Sequence, residues 1–398
     1  MSAMLSSLRY LAGSAGPSGY GSRTTADEAT LPAGDLSHIT AIVTGATSGI
    51  GAETARVLAR RGARLVLPAR NLKAAEETRA RILADLGDAG SGGGRVVVLP
   101  LDLSSLASVR RFVHRFLALR LPLNLLMYVR PRSSSTHRRL RRRRSPRRKL
   151  TVRLYACACR NNAGQYAERF AVSEDGVEMT FATNYLGHFL LTELLLPAMA
   201  DTARATGVQG RVVNVSSTVH AWFAADAGDD GPLAYLHRVT RKATPYDPTR
   251  AYALSKLANV LHTTALAGRL REMGADVTAN CVHPGIVRTR LIRDRAGLVT
   301  NTVFFLASKL LKTVPQAAAT TCYAAVHPAV AGVSGRYFAD CNEAAPSRLA
   351  CSAEEASRLW SFSEAITAEK EKEESALPVT SFRFQVQSSN ADRGMAIA

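Results

Sequence analysis

The sequence predicts an α/β protein built on one doubly wound parallel sheet with helices on both faces. Three observations carry that prediction. Short β-rich runs alternate with helix-sized segments along the chain. The runs are nearly continuous apolar stretches, as strands buried on both faces must be. The first run passes straight into a glycine-rich turn that opens a helix, where backbone N–H groups can meet a phosphate.

In order, residues 39–44 are a strand, 45–51 the glycine turn and 52–61 a helix. A strand over 64–67 and a helix over 72–86 follow. Then come a strand at 96–99, a helix near 105–120 and the apolar run 121–126. Farther on, 180–199 reads as a long helix, 211–215 as a strand, 250–273 as a helix and 277–282 as another strand. Residues 1–36 are rich in Gly, Ser and Thr and read as an N-terminal extension. Residues 37–368 form the domain, interrupted at 128–160, and 369–398 are a tail. Arg9, Arg23 and the early lack of acids loosely resemble a transit peptide, although Asp27-Glu28 follows soon.

Hydrophobic residues make up 46% of the 398 and charged residues 21%. That mix buries a sizeable core and excludes global disorder, collagen and a small disulfide scaffold. No run of 18 apolar residues occurs, so no spanning helix is expected. Six cysteines over this length are no disulfide framework. Cys157 and Cys159 are too close for an ordinary bridge and lack the second half of a zinc site. A soluble protein of a reducing compartment, with no metal, is expected.

The formal charge of +19 would point to nucleic acid or an anionic membrane. However, 128–160 alone holds 12 Arg and 1 Lys with no acid, and the rest of the chain carries only +6. The basic character therefore belongs to one tract. A localisation or RNA-binding arm is one reading of it; a solvated insertion is the plainer one. The tract lacks the interleaved aromatics of a single-strand binder, and no nucleic-acid partner is expected.

The glycine turn reads Thr44-Gly45-Ala46-Thr47-Ser48-Gly49-Ile50-Gly51. No Gly-Lys-Ser/Thr follows, which excludes an ATP-type phosphate loop. At the end of a first strand, a dinucleotide pyrophosphate is the expected guest and a plain tight turn the alternative. Where an NAD site would place an acid, the second strand ends in Arg70. A guanidinium can pair with a 2′-phosphate, so NADP(H) is preferred, unless Arg70 merely faces solvent. Asp102, in Leu101-Asp102-Leu103, can accept from an adenine amino group; otherwise it is a helix-start acid with Ser104 as cap.

Tyr252 and Lys256 lie four apart on an expected helix and share a face. A neighbouring ammonium favours the phenolate, so the pair can exchange a proton with a carbonyl or alcohol oxygen. Ser217, past the end of the strand at 211–215, can bind the same oxygen; Ser216 is its ordinary turn neighbour.

Together, TGATSGIG, LDL at 101–103, NNAG at 161–164, VNVSS at 213–217, YALSK at 252–256 and HPGIVRT at 283–289 resemble the short-chain dehydrogenase/reductase family, in family order. The resemblance covers about 37–368 apart from the tract, and implies a Rossmann-type sheet. It implies Tyr252 as general acid/base, Lys256 binding the nicotinamide ribose, Ser217 orienting the substrate oxygen and Asn184 supporting a proton-relay water. Gly45, Ser48, Gly49, Ile50, Gly51, Arg70, Asp102 and Leu103 would hold the cofactor. So would Asn162, Ala163 and Gly164 on the adenosine side and Pro284, Gly285, Val287 and Thr289 beside the nicotinamide. Residues 189–192, 255–261 and 335–342 resemble the retinol-dehydrogenase-like branch. The opening Gly16-Pro17-Ser18-Gly19-Tyr20-Gly21-Ser22 resembles plant members associated with the protein translocon of the chloroplast inner envelope. That likeness implies NADPH binding, a chloroplast address and calmodulin contact; a cytoplasmic location is the alternative.

The family joins its fourth strand directly to Asn-Asn-Ala-Gly. Here Met127 and the basic tract intervene before Asn161. A translated, retained intron accounts for this. A GT donor can begin inside the Met127 codon, an AGA or AGG codon for Arg160 supplies the acceptor, and 33 codons keep the frame. An error in exon assignment accounts for it equally. A 33-residue loop adds only about 2–3 kcal/mol of closure entropy, so the fold can survive it. The expected activity is reduction of an apolar aldehyde or ketone, reversible as alcohol oxidation. The region meant to cover the substrate, 290–315, carries Leu298, Val299, Val303, Phe304, Phe305 and Leu306. The same apolar stretch could serve as a dimer or peripheral membrane face, and a homo-oligomer is expected. An NADPH-sensing translocon subunit is the competing function.

Overall fold

The computed structural model describes residues 10, 12–87, 95–129, 167–223, 231–287 and 311–376. The first helix described throughout its length is α1 (Ala26–Thr30), where Thr25 and Glu28 cap the helix reciprocally. Strand β1 (Thr40–Thr44), buried along its length, feeds α2 (Gly49–Arg60). Then follow β2 (Arg64–Ala69), α3 (Leu72–Leu86), β3 (Val96–Pro100), α4 (Leu106–Ala118) and β4 (Leu125–Tyr128). Asn71 caps α3 by accepting from the Ala74 N–H. Ser105, not the expected Ser104, caps α4, because its hydroxyl reaches the Ser108 N–H.

Beyond the undescribed tract, a helical turn (Met179–Phe181) and a π-helical turn (Ala182–Leu186) lead into α5 (Gly187–Thr206). The remaining strands and α-helices among the described residues are β5 (Gly210–Val215), α6 (Pro232–Thr240), α7 (Pro248–Glu272), β6 (Val277–His283), α8 (Val314–Val326), β7 (Tyr337–Ala339), β8 (Asn342–Glu343) and α9 (Ala353–Ala376). Pro248 opens α7, where its missing N–H costs nothing, and Asp247 caps it.

Among the described residues, the strands form one sheet in the order β3-β2-β1-β4-β5-β6-β7-β8. All neighbours are parallel except β8, which returns antiparallel to β7. The order reverses between β1 and β4, and sheets of this kind bind ligands at the carboxyl ends of the strands at such a reversal. Alternation of side chains divides the core. Ile42, Leu126, Val212 and Cys281 face α4, α5 and α7, whereas Val43, Met127, Val213 and Val282 face α2 and α8. Phe112 and Phe116 of α4 are fully buried on the first face, and each contributes about 1.5–3 kcal/mol of burial. On that face Trp360 of α9 meets Phe189 edge-on at 5.1 Å, and Arg269 lies 4.2 Å above its ring.

Three details differ from the sequence reading. Helix α2 starts at Gly49, so two of the motif's three glycines belong to its first turn. The fourth strand begins only at Leu125 and includes Tyr128, placed at sequence level inside the basic tract. Tyr128 pairs in register with Thr44 and Asn214, and its hydroxyl bonds that of Thr192. Residues 16–30 are docked: Ser18 N–H donates to Asn342 Oδ1 at 3.0 Å, and the Tyr20 ring packs against Tyr323 and His327. Among the described residues, no helix is long and apolar enough to cross a membrane.

Candidate functional site

The site is built first by the turn after β1. Ser48 is extended, and its side chain makes no hydrogen bond that caps α2. The first N–H groups of α2 therefore have no side-chain cap from Ser48, with the positive end of the helix dipole behind them. Gly49 has φ +58 and open space where a Cβ would stand. At Gly51 a Cβ would collide with the Gly45 carbonyl oxygen, so turn and helix approach as only glycine permits. Ile50 is buried and anchors the turn. A pyrophosphate fits this cradle.

The ends of β2 and β3 lie beside it. Arg70 is 75% exposed, with Nη1 3.8 Å from Asp102 Oδ2. Asp102 Oδ1 is held by the N–H and hydroxyl of Ser104, at 2.9 and 2.7 Å. The Leu103 carbonyl packs against Gly187, which fixes this loop on the start of α5.

Helix α7 brings Tyr252 and Lys256 to the ends of β5 and β6. Both are buried, and Lys256 Nζ stands 5.7 Å from the Tyr252 ring centre. Nζ donates to the Val215 carbonyl at 3.0 Å. Ser216 donates to the Lys256 carbonyl at 2.7 Å, so the expected turn neighbour is a strut between strand and helix. Ser217 is buried, extended, and starts a 3₁₀ turn (Thr218–Trp222), its Oγ accepting from Val219 N–H at 3.4 Å. Asn184 lies in the π-helical turn and donates to Ser255 Oγ at 2.9 Å; Ser255 donates onward to the Tyr252 carbonyl at 2.8 Å. Asn184 is thus joined to the backbone of the residue that carries the phenol. A π-turn widens the helix at one point, a deformation frequent where side chains serve a site.

After β6, Pro284 and Gly285 leave the sheet, and Val287 bridges to Lys312. Lys312 is buried, lies over Gly285 and pairs with Asp340 at 2.5 Å. His283, before Pro284, is held near pKa 3 by burial, with Lys312 and His220 adding to the shift. Asn162, Ala163, Gly164 and Thr289 lie outside the described residues, as does most of the apolar stretch expected over the substrate.

Several residues in or beside the site were not singled out from sequence. His188 spans the turn and the π-helix, with Nε2 3.2 Å from Thr44 Oγ1 and Nδ1 3.2 Å from the Asn184 carbonyl. His220 joins Ser217 to Ser347. His188, four residues after Asn184, could have been found by helical spacing; the long-range pairs of Lys312 and His220 leave no local signal.

Comparison with known proteins gives the family. The family described as short chain dehydrogenase matches residues 39–129, ending where the basic tract takes over. The Brassica napus short-chain dehydrogenase TIC 32 B, chloroplastic, is 43% identical over 351 residues, covering 88% of this chain and 95% of that protein. The chain belongs to the short-chain dehydrogenase/reductase family. It is an oxidoreductase family that uses a nicotinamide cofactor. Mouse polyprenol dehydrogenase is 39% identical, covering 80% of this chain and 81% of its own. Mouse retinol dehydrogenase 14 is 36% identical, covering 82% and 84%. An uncharacterized protein from Mycobacterium paratuberculosis superposes with a TM-score of 0.57 at 29% identity, over 84% of this chain and 95% of that one.

Proposed function

We propose that this short-chain dehydrogenase/reductase uses NADP(H) to interconvert an apolar aldehyde or ketone and its alcohol. The observation that carries the reading is the convergence of Tyr252, Lys256 and Ser217, with Lys256 tied to the strand that delivers Ser217. When bound, the nicotinamide supplies or receives the hydride. Tyr252 donates the proton from its phenolic oxygen to the carbonyl oxygen, or takes it back from the alcohol. The nearby ammonium of Lys256 favours the phenolate and binds the ribose. The Ser217 hydroxyl donates to the same substrate oxygen and fixes its position. Asn184 supports the proton path on the lysine side. Arg70 takes the 2′-phosphate and Asp102 the adenine edge. The glycine turn takes the pyrophosphate, and Pro284, Gly285 and Val287 border the nicotinamide.

An apolar substrate is supported by the relatives named for retinol and polyprenol, both long apolar alcohols. A chloroplast location is supported by the Brassica napus relatives named chloroplastic. Their TIC 32 name also supports a second reading, an NADPH-sensing subunit of a protein translocon. A reductase assay across short polar, long aliphatic and polyenal carbonyls separates the two. Turnover of an apolar aldehyde that is lost in Tyr252→Phe is expected. Tight NADPH binding with no turnover of any carbonyl favours the sensor.

A further inference from the structure

We propose that His220 is a positioning residue that sets the Ser217 hydroxyl for its substrate. The inference rests on the reading of Ser217 as the group that binds the substrate oxygen.

His220 lies three residues after Ser217, in the 3₁₀ turn, and is buried. It grips the Ser217 carbonyl twice. Its main-chain N–H donates at 3.0 Å, and its Nδ1 lies 2.6 Å from the same oxygen. On the far side of the ring, Nε2 is 3.0 Å from the Ser347 N–H. A backbone N–H can only donate, so Nε2 carries no proton. The proton is therefore on Nδ1, where it donates to Ser217, and the ring is neutral with one tautomer. Tyr337 of β7 packs edge-on against the imidazole at 5.3 Å and limits its rotation.

The ring is thus a spacer of fixed length between Ser347 and the Ser217 carbonyl. Ser347 sits just before the 3₁₀ turn Leu349–Cys351 that leads into α9, and α9 packs on α7, the helix of Tyr252 and Lys256. Ser217 is delivered by β5 and Tyr252 by α7. The His220 bridge references the serine to the helix side of the site, in addition to its own strand. A shift of about 1 Å in a positioned group can cost a hundredfold in rate, so this reference bears on turnover.

The test separates the two hydrogen bonds of the ring. His220→Asn places an amide N–H where Nδ1 stands and keeps the bond to Ser217, but cannot reach Ser347. His220→Gln can accept from Ser347 but leaves the Ser217 carbonyl without its side-chain donor. His220→Phe keeps the ring and loses both. Reduction of all-trans-retinal by NADPH is measured in the full chain, with thermal unfolding and NADPH affinity alongside. The Gln and Phe variants are expected to lose between about tenfold and a hundredfold in kcat with the KM for NADPH unchanged. The Asn variant is expected to keep most of kcat. Wild-type turnover in Gln or Phe, or an Asn variant as impaired as Phe, overturns the proposal. Ser217→Ala is the control: if it leaves kcat intact, the underlying reading of Ser217 fails first. Nitrogen-15 spectra of histidine-labelled wild type give a second measurement that needs no variant. A proton on Nδ1 and none on Nε2 is expected for His220, and the opposite tautomer overturns the bridge.

Discussion

The Val215 carbonyl accepts from Lys256 Nζ at 3.0 Å and from Asn259 Nδ2 at 3.1 Å. One oxygen, two residues before Ser217, thus anchors the lysine to the strand. Because Asn259 still satisfies this carbonyl, Lys256→Met should fold. It should lose both NADPH affinity and carbonyl reduction, since the ammonium serves ribose and phenol together. Tyr252→Phe should abolish reduction while NADPH binding stays nearly intact, because only the transferable proton is removed. Equal loss of cofactor affinity in the two variants would contradict this division. Titration of NADPH fluorescence reads it directly.

Arg70 is mostly exposed and stands just past the end of β2, with an ion pair to Asp102. Arg70→Asp should lower NADPH affinity tenfold or more, since a charge-assisted contact is worth about 1.5–3 kcal/mol. The preference for NADPH over NADH should then vanish or reverse. Side-by-side calorimetry with both cofactors checks it. Unchanged affinities would leave Arg70 a surface charge.

Thr44 hydrogen-bonds through Oγ1 to the Val129 carbonyl at 2.8 Å, and Tyr128 bonds Thr192. Tyr128 and Val129 therefore stand where the family's Asn-Asn-Ala-Gly turn would begin. A chain lacking 128–160 joins Met127 to Asn161 and restores that turn. It should bind NADPH more tightly than the full chain. Matching dissociation constants would sink this expectation. Sequencing of cDNA across the Leu126–Asn161 junction shows which form is expressed.

His262 of α7 is enclosed by the rings of Tyr185, Phe189 and Trp360, and burial lowers its pKa to about 3. The folded chain then binds fewer protons than the unfolded chain between about pH 6.5 and 3. Stability present above pH 6.5 is lost as the pH falls through that window, with a slope of up to about 1.4 kcal/mol per unit from this group. His262→Leu keeps the site apolar and should flatten that slope. Urea unfolding at pH 7 and pH 5 is the measurement. An identical drop in both proteins would show that His262 does not carry it.

The sheet was legible because its strands are short, nearly continuous apolar runs and because Gly45, Gly49 and Gly51 mark the first crossover. Strands β7 and β8 were not, since three and two residues give no period. The Tyr252–Lys256 pair was legible because helical spacing places both on one face. The supports around it were hidden by distance in the chain. Ser347 lies 127 residues from His220, and Ser255 lies 71 from Asn184. Asn184 itself was named only through the family resemblance, and its π-helical setting has no signature in residue type.

Ser18 and Asn342 are 324 residues apart in sequence and 3.0 Å apart in space. The Asn342 side chain also donates to the Tyr20 carbonyl, and the Tyr20 ring rests on α8. During synthesis the segment around Tyr20 leaves the ribosome early, yet every one of these partners emerges some three hundred residues later. A stretch made early is therefore among the last to find its place. Until then Ala26 and Ala29 of α1, buried in the finished protein, have no α8 to cover them. A closure this distant makes docking of the N-terminal segment a late event of folding, after the sheet has reached β8.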